Sequence, residues 1–218
     1  MEKESKEICF IMCVNHDKYE QEAMYYIQNL LIPDGYKIDV ISVKDANSIT
    51  EGYNAAMMSS NAKYKIYMHQ DVFIVNKKLL ENMLTIFKDN TIGMIGMVGC
   101  KKLSSHGIMW HSKRVGKLYG SIPRCSGKGT YGEIEGKFED VEAIDGFFMI
   151  TQYDIPWRED LFDGWDFYDI SQSMEMRKKG YRIVVPNQSE PWCIHDDGYL
   201  NFENYYYYRK IFEKEYFS

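Results

Sequence analysis

The stretch KYKIYMHQDVFIV, residues 63–75, decides the fold. Apolar residues run up to Met68, a polar break follows at His69, Gln70 and Asp71, and apolar residues resume at Val72. A short, nearly continuous apolar run of this kind reads as a strand covered on both faces. Its ending is unusual, because an imidazole, an amide and a carboxylate stand at the mouth of a core strand. An unpaired buried charge costs several kcal/mol. Asp71 therefore calls for a partner: a metal, a ligand or a loop N–H.

The flanking sequence alternates strand and helix. ICFIMCV (8–14) is a second continuous apolar run, and Tyr19, Ala23, Ile27 and Leu30 recur at helical spacing. KIDVISV (37–43) alternates as a strand does. Ser48 and Glu51 form the S-x-x-E pattern that caps a helix reaching about residue 62. After the opening stretch come an amphipathic helix, NKKLLENMLTIFKDN (76–90), and a strand, IGMIGMV (92–98). This order predicts an α/β sandwich with a mostly parallel central sheet. Residues 100–139 are rich in glycine and weakly periodic, which predicts a long loop, functional or mobile. Regular structure resumes with VEAIDGFFMIT (141–151), a helix over YDISQSMEMRKKG (168–180), a strand over YRIVV (181–185) and a tyrosine-rich helix over 201–216.

Composition narrows the class. The 218 residues suit a single domain, 1–218, and are 45% hydrophobic and 27% charged. A net charge of −6 argues against a nucleic-acid partner. The aromatic share of 15%, with 18 tyrosines, suits both carbohydrate platforms and core packing. The five cysteines, Cys9, Cys13, Cys100, Cys125 and Cys193, are odd in number and contain no C-x-x-C pair, which fits free thiols in a reducing compartment. MEKESKE carries no secretory apolar segment, and no apolar run approaches the ~20 residues of a membrane span. These features predict a cytoplasmic protein.

In open α/β sheets, ligands bind outside the carboxyl ends of the strands. Asn15-His16-Asp17, Asp45-Ala46-Asn47 and His69-Gln70-Asp71 all fall at such ends. In WCIHDDG (192–198), His195 with Asp196 and Asp197 could complete a metal site with Asp71, or form a solvated turn. In GWDFYDIS (164–171), Asp166 and Asp169 lie near a helix start. The helix dipole favours acids there whatever their function, and either could serve as a general base. CSGKGT (125–130) is not a phosphate loop, since Ile122 and Gly129 stand where glycine and Ser/Thr are required. No G-x-S-x-G elbow occurs.

In this order, EGYNAAM (51–57), YKIYMHQDVFI (64–74), DGFFMI (145–150) and FDGWDFYDISQSMEMRKKGYRIVVP (162–186), followed by a late histidine, resemble a family 2-like glycosyltransferase of GT-A fold. The branch they look closest to is the streptomycin-biosynthesis-type glycosyltransferase-like domain. The resemblance implies a three-layer GT-A sandwich, a nucleotide-diphosphate sugar donor, and a saccharide, lipid-linked or small-molecule acceptor. Asp71 matches the last Asp of the family's D-x-D motif, which engages Mn²⁺ or Mg²⁺. His195 matches a late histidine that joins the metal, and Asp169 the base of inverting transfer. Asn54, Asp145 and Gly146 match donor-side positions, and Asn15 and Asp45 lie where base and ribose bind. His69 stands where the first D-x-D Asp is usual, and is counted with the donor-binding residues. Tyr168 stands where a Glu is expected. These two departures motivate an alternative, a GT-A module that binds a nucleotide sugar or partner without turnover. A nucleotidyltransferase is disfavoured, because VNHDKYEQE (14–22) after the first strand is acidic rather than a basic glycine loop.

Overall fold

The computed structural model describes residues 6–120, 127–196 and 202–218. Ile122, Cys125 and Asp197, singled out above, lie outside the described residues. In chain order the elements are β1 (Glu7–Val14), α1 (Asp17–Gln28), β2 (Lys37–Lys44), α2 (Ile49–Ser59), β3 (Tyr64–Met68), β4 (Val72–Ile74), α3 (Leu79–Ile86), β5 (Ile92–Gly96) and β6 (Val98–Cys100). A 3-10 turn (Met109–His111) leads to β7 (Arg114–Gly120), β8 (Gly127–Tyr131), β9 (Phe138–Val141), β10 (Ala143–Ile144) and β11 (Phe148–Thr151). Then follow α4 (Tyr168–Lys178), β12 (Arg182–Pro186), β13 (Cys193–His195) and α5 (Tyr205–Phe217).

The main sheet has the order β2-β1-β3-β11-β5-β12-β9. β1, β2, β3, β5 and β12 run in one direction, while β11 and β9 run against them. The apolar run in β1 is explained by cover on both faces. Ile8, Phe10 and Met12 pack with α1 and α3, whereas Cys9 and Ile11 pack with α2 and α4. Full burial of each large apolar side chain contributes about 1.5–3 kcal/mol. α2 begins where the capping pattern places it, with Ser48 Oγ accepting from Glu51 N at 3.1 Å. The Glu51 carboxylate returns one residue further than the usual box, to Asn47 N at 3.0 Å.

A second sheet, β10-β6-β7-β13-β4 with β8 on the far edge of β7, lies at the carboxyl end of the main one. The chain turns corners between the sheets at His69–Asp71, at Met97 and at 145–147. The opening stretch is therefore not one strand with a polar interruption. It is two strands, one in each sheet, with the polar residues at the bend. IGMIGMV divides in the same way at Met97.

The long loop expected over 100–139 is corrected. Among its described residues it contains β7, β8 and the start of β9, and RVGKLYG pairs antiparallel with GKGTY. Glycine obscured this pattern, since it removes the side chains that mark alternation. Gly116 has φ +110°, and a Cβ there would run into the Met97 carbonyl. Only glycine permits so close an approach of β7 to the corner.

Candidate active site

The corners bring distant residues together. His69 N donates to Phe147 O at 3.0 Å, joining the 69–71 corner to the 145–147 corner. β13 pairs with β4, His195 opposite Val72, so the late histidine arrives beside the first. The Phe147 ring stacks on His195 with centroids 4.9 Å apart and planes 15° apart. As a result one ligand atom each from His69, Asp71 and His195 lies within 4.8 Å of the others. His69 Nδ1 is 3.4 Å from His195 Nε2, and Asp71 Oδ1 is 3.7 Å from His195 Nε2 and 4.0 Å from His69 Nδ1.

This geometry fits a divalent cation. Ligands held at about 2.0–2.2 Å from one ion sit about 3–4 Å from each other. Burial lowers the His69 pKa to about 4 and that of His195 well below its ordinary value, so both rings are neutral and keep a lone pair at neutral pH. Two imidazoles and one carboxylate suit Mn²⁺ better than Mg²⁺, which prefers oxygen ligands. Asp196 supplies a backbone N–H to Asp71 O at 2.9 Å.

Gln70, the middle residue of the break, ties the strand ends together. Its Oε1 accepts from Asn15 N and His16 N at 3.1 and 3.0 Å, and its Nε2 donates to Asn15 Oδ1 at 2.6 Å. Asp45 follows β2 next to Asn15, exposed and with φ 58°. Asn15, Gln70, His69 and Asp71 line a cleft of about 200 Å³. Asn54 does not reach it. Its amide is buried, accepting from Trp157 N at 2.8 Å and donating to Trp157 O and Glu159 Oε2 at 3.0 and 2.9 Å. These bonds anchor the loop before α4 and leave the side chain turned away from the cleft.

A larger cavity of about 770 Å³ adjoins the cleft, and His69 and Trp165 line both. Asp145, Asp166 and Asp169 face it. Asp169 opens α4, where Oδ2 accepts from Gly146 N at 2.9 Å and Oδ1 from Ile170 N at 2.8 Å. Its desolvation outweighs these bonds and raises its pKa to about 6. Gly146 is required here, because a Cβ would collide with the Tyr168 hydroxyl and Asp169 Cβ. Asp166 precedes the helix, and desolvation raises its pKa also. Phe167 between them adopts a left-handed φ of 62°, a strained conformation for a bulky residue. Its ring is held 4.8 Å from Tyr205 and 5.5 Å from Phe212.

Sequence reasoning missed the part played by Tyr168. Its hydroxyl lies 2.5 Å from His69 Nε2. The two departures from the family pattern therefore touch each other, and the phenol orients the imidazole ring. The matching change of both positions was the available signal. The aromatic walls of the cavity, Trp110, Tyr131, Trp165, Phe202 and Tyr205, were likewise not singled out.

No curated protein is detectably similar in sequence. Solved structures are similar in fold. A mannosyltransferase from Pyrobaculum calidifontis, PcManGT, in complex with GDP-Man and Mn²⁺, superposes with TM-score 0.57 at 11% identity, covering 93% of this chain and 60% of that one. S. aureus TarS 1-349 in complex with UDP-GlcNAc gives TM-score 0.60 at 11% identity, covering 94% and 65%. GalNAc-T7 with UDP, GalNAc and Mn²⁺ gives 0.58 at 8%, covering 91% and 44%. The chain spans less than two thirds of each of these chains. The shared architecture is the GT-A fold, as the motifs implied. The model of the glycosyltransferase-like family matches residues 9–216, nearly the whole chain, and the protein belongs to that family.

Proposed function

We propose that the chain transfers a hexosyl group from a nucleotide-diphosphate sugar to an acceptor hydroxyl, with inversion. The observation that carries this is Asp169: a carboxylate with pKa near 6, fixed by two backbone N–H groups, on the wall of a cavity that His69 and His195 also line. A general base works best with a pKa close to the operating pH. Asp169 takes the proton of the acceptor hydroxyl. The acceptor oxygen bonds to the anomeric carbon from the opposite face, and the bond to the diphosphate breaks with its electron pair leaving on the nucleotide. Asp71, His195 and His69 would hold the divalent cation, which would supply positive charge against the leaving diphosphate. Asn15 and Asp45 serve the nucleoside end, and Asp145 and Gly146 the sugar. Trp165, at the junction of cleft and cavity, helps exclude water from the reacting centre.

The test is nucleoside diphosphate release from a panel of UDP-, GDP- and dTDP-sugars with Mn²⁺, in the presence of saccharide acceptors. Release from one donor is expected, and EDTA should suppress it. Tight donor binding with no release to any acceptor or to water would favour the binding-module alternative.

A further inference from the structure

Arg114 stands apart from the other arginines. Of those described, Arg158, Arg177, Arg182 and Arg209 each pair with a carboxylate. Arg114 forms no ion pair among the described residues, yet it lines the large cavity. The other cation among the described lining residues, Lys128, is bound to Glu190 at 2.8 Å. The Arg114 guanidinium carbon lies 4.3 Å from the Tyr131 ring centroid and 5.6 Å from that of Trp110. Cation–π contacts of this kind use the charge of a guanidinium without consuming its N–H donors, which stay available for a planar or tetrahedral anion.

Its position points to the acceptor rather than the donor. On β7, Gly120 lies opposite His195. Arg114 is six residues back along that strand, about 20 Å at the usual rise. A diphosphate at the His69–Asp71–His195 group is out of its reach. The Asp169 side of the cavity is nearer. Gly146, which anchors Asp169, follows Asp145, whose N–H bonds Val98 O at 2.9 Å, and Val98 pairs with Gly116. Two strand spacings, about 10 Å, separate Asp145 from Gly116, and Arg114 lies two residues further along β7, against six residues from the position opposite His195. Trp110 and Trp165 are 45% and 52% exposed, and offer flat apolar faces to the C–H face of a sugar ring.

We infer that Arg114, clamped by Trp110 and Tyr131, forms an anion subsite that recognises a phosphate or carboxylate carried by a saccharide acceptor. The inference rests on the glycosyltransferase reading above and names the acceptor class for the same cavity. In a chain of net charge −6, beside three aspartates, a cation without a carboxylate partner among the described residues favours an anionic group over a neutral one.

Tryptophan fluorescence titrations of the full chain with glucose, glucose 6-phosphate and glucuronic acid test it. At least one anionic sugar should bind at least tenfold more tightly than glucose, and added salt should weaken that preference. The better anionic probe identifies phosphate or carboxylate as the group read. Arg114→Gln should remove the preference, and Arg114→Lys should retain part of it, with melting temperatures unchanged. If neither anionic probe is preferred to glucose, or if the preference survives in Arg114→Gln, the assignment is overturned. UDP and GDP binding with Mn²⁺, measured on the same proteins, separates the two readings. It should be unaltered in Arg114→Gln. Absence of nucleotide binding in the wild type would count against the donor reading, while the anion subsite stands or falls by its own titration.

Discussion

The two ends of β3 carry polar groups that look equally out of place in a core strand, and the structure treats them in opposite ways. Near the start, Lys65 is fully buried, and its ammonium donates to Asp154 at 2.7 and 2.9 Å and to Ala62 O at 2.8 Å. Its three donors meet three oxygens, so the charge is satisfied within the chain. At the far end, Asp71 lies 3.7 and 4.0 Å from two imidazoles that burial keeps neutral. The first arrangement is complete without a ligand, whereas the second presents lone pairs and a carboxylate to one point. A charge at the end of a core strand is thus a functional signal only when the surrounding groups share its appetite for a third party.

The largest expected effect lies beside the ligand-facing end. Asp169→Asn should lower sugar transfer by about 10²–10⁴-fold while donor and Mn²⁺ affinity stay unchanged, and Asp166→Asn should cost much less. Wild-type turnover in Asp169→Asn would remove the proposed base. At the structural end, Asp154→Ala leaves the Lys65 ammonium buried and unpaired, and should cost about 3–5 kcal/mol in urea denaturation without altering nucleotide binding. Lys65→Met should cost less, because Asp154 is 40% exposed and can be hydrated. Equal losses for the two would erase the distinction drawn between the ends.

Smaller effects sharpen the contrast. Tyr168→Phe removes the hydroxyl that orients His69 and should weaken Mn²⁺ binding, measured by calorimetry, by about 10–100-fold, as loss of an outer partner of a metal-ligating histidine does. An unchanged affinity would make the Tyr168–His69 contact incidental. The pH dependence follows from Asp169. Its pKa of about 6 lies above the ordinary carboxylate value. The protonated form is therefore favoured by folding, and that contribution to stability is lost as pH rises through about 6. Activity runs the other way, since the base must be ionised, so transfer should rise as pH passes through about 6. A rate flat from pH 5 to 7 would contradict the assignment.

Much of the fold was legible because burial on both faces writes continuous apolar runs, as in β1 and β3, and because Ser48 with Glu51 marks a helix start chemically. β7 and β8 were not legible. Their glycines allow close backbone approach and erase the alternation that identifies strands. The convergence of His69, Asp71 and His195 was legible because residues of ligand-type chemistry end strands, and the place of Asp169 on the cavity wall because it stands at a helix start. Asn54 misled because a buried amide on a helix looks the same in sequence whether it faces a ligand or a loop 103 residues away. Tyr168 depends on His69, 99 residues away at the corner after β3, and Arg114 on Tyr131, brought near by the pairing of β7 with β8.

The most direct test of the account is a thermal-shift screen of the wild type and Asp71→Asn against nucleotide sugars, with and without Mn²⁺. One nucleotide sugar should stabilise the wild type in the presence of Mn²⁺, by about 2.7 kcal/mol at a hundredfold excess over its Kd, and should stabilise Asp71→Asn far less, although both proteins melt alike without ligand. No stabilisation by any nucleotide sugar, or equal stabilisation of the two proteins, would contradict the claim that this end of β3 is built for a donor and its metal.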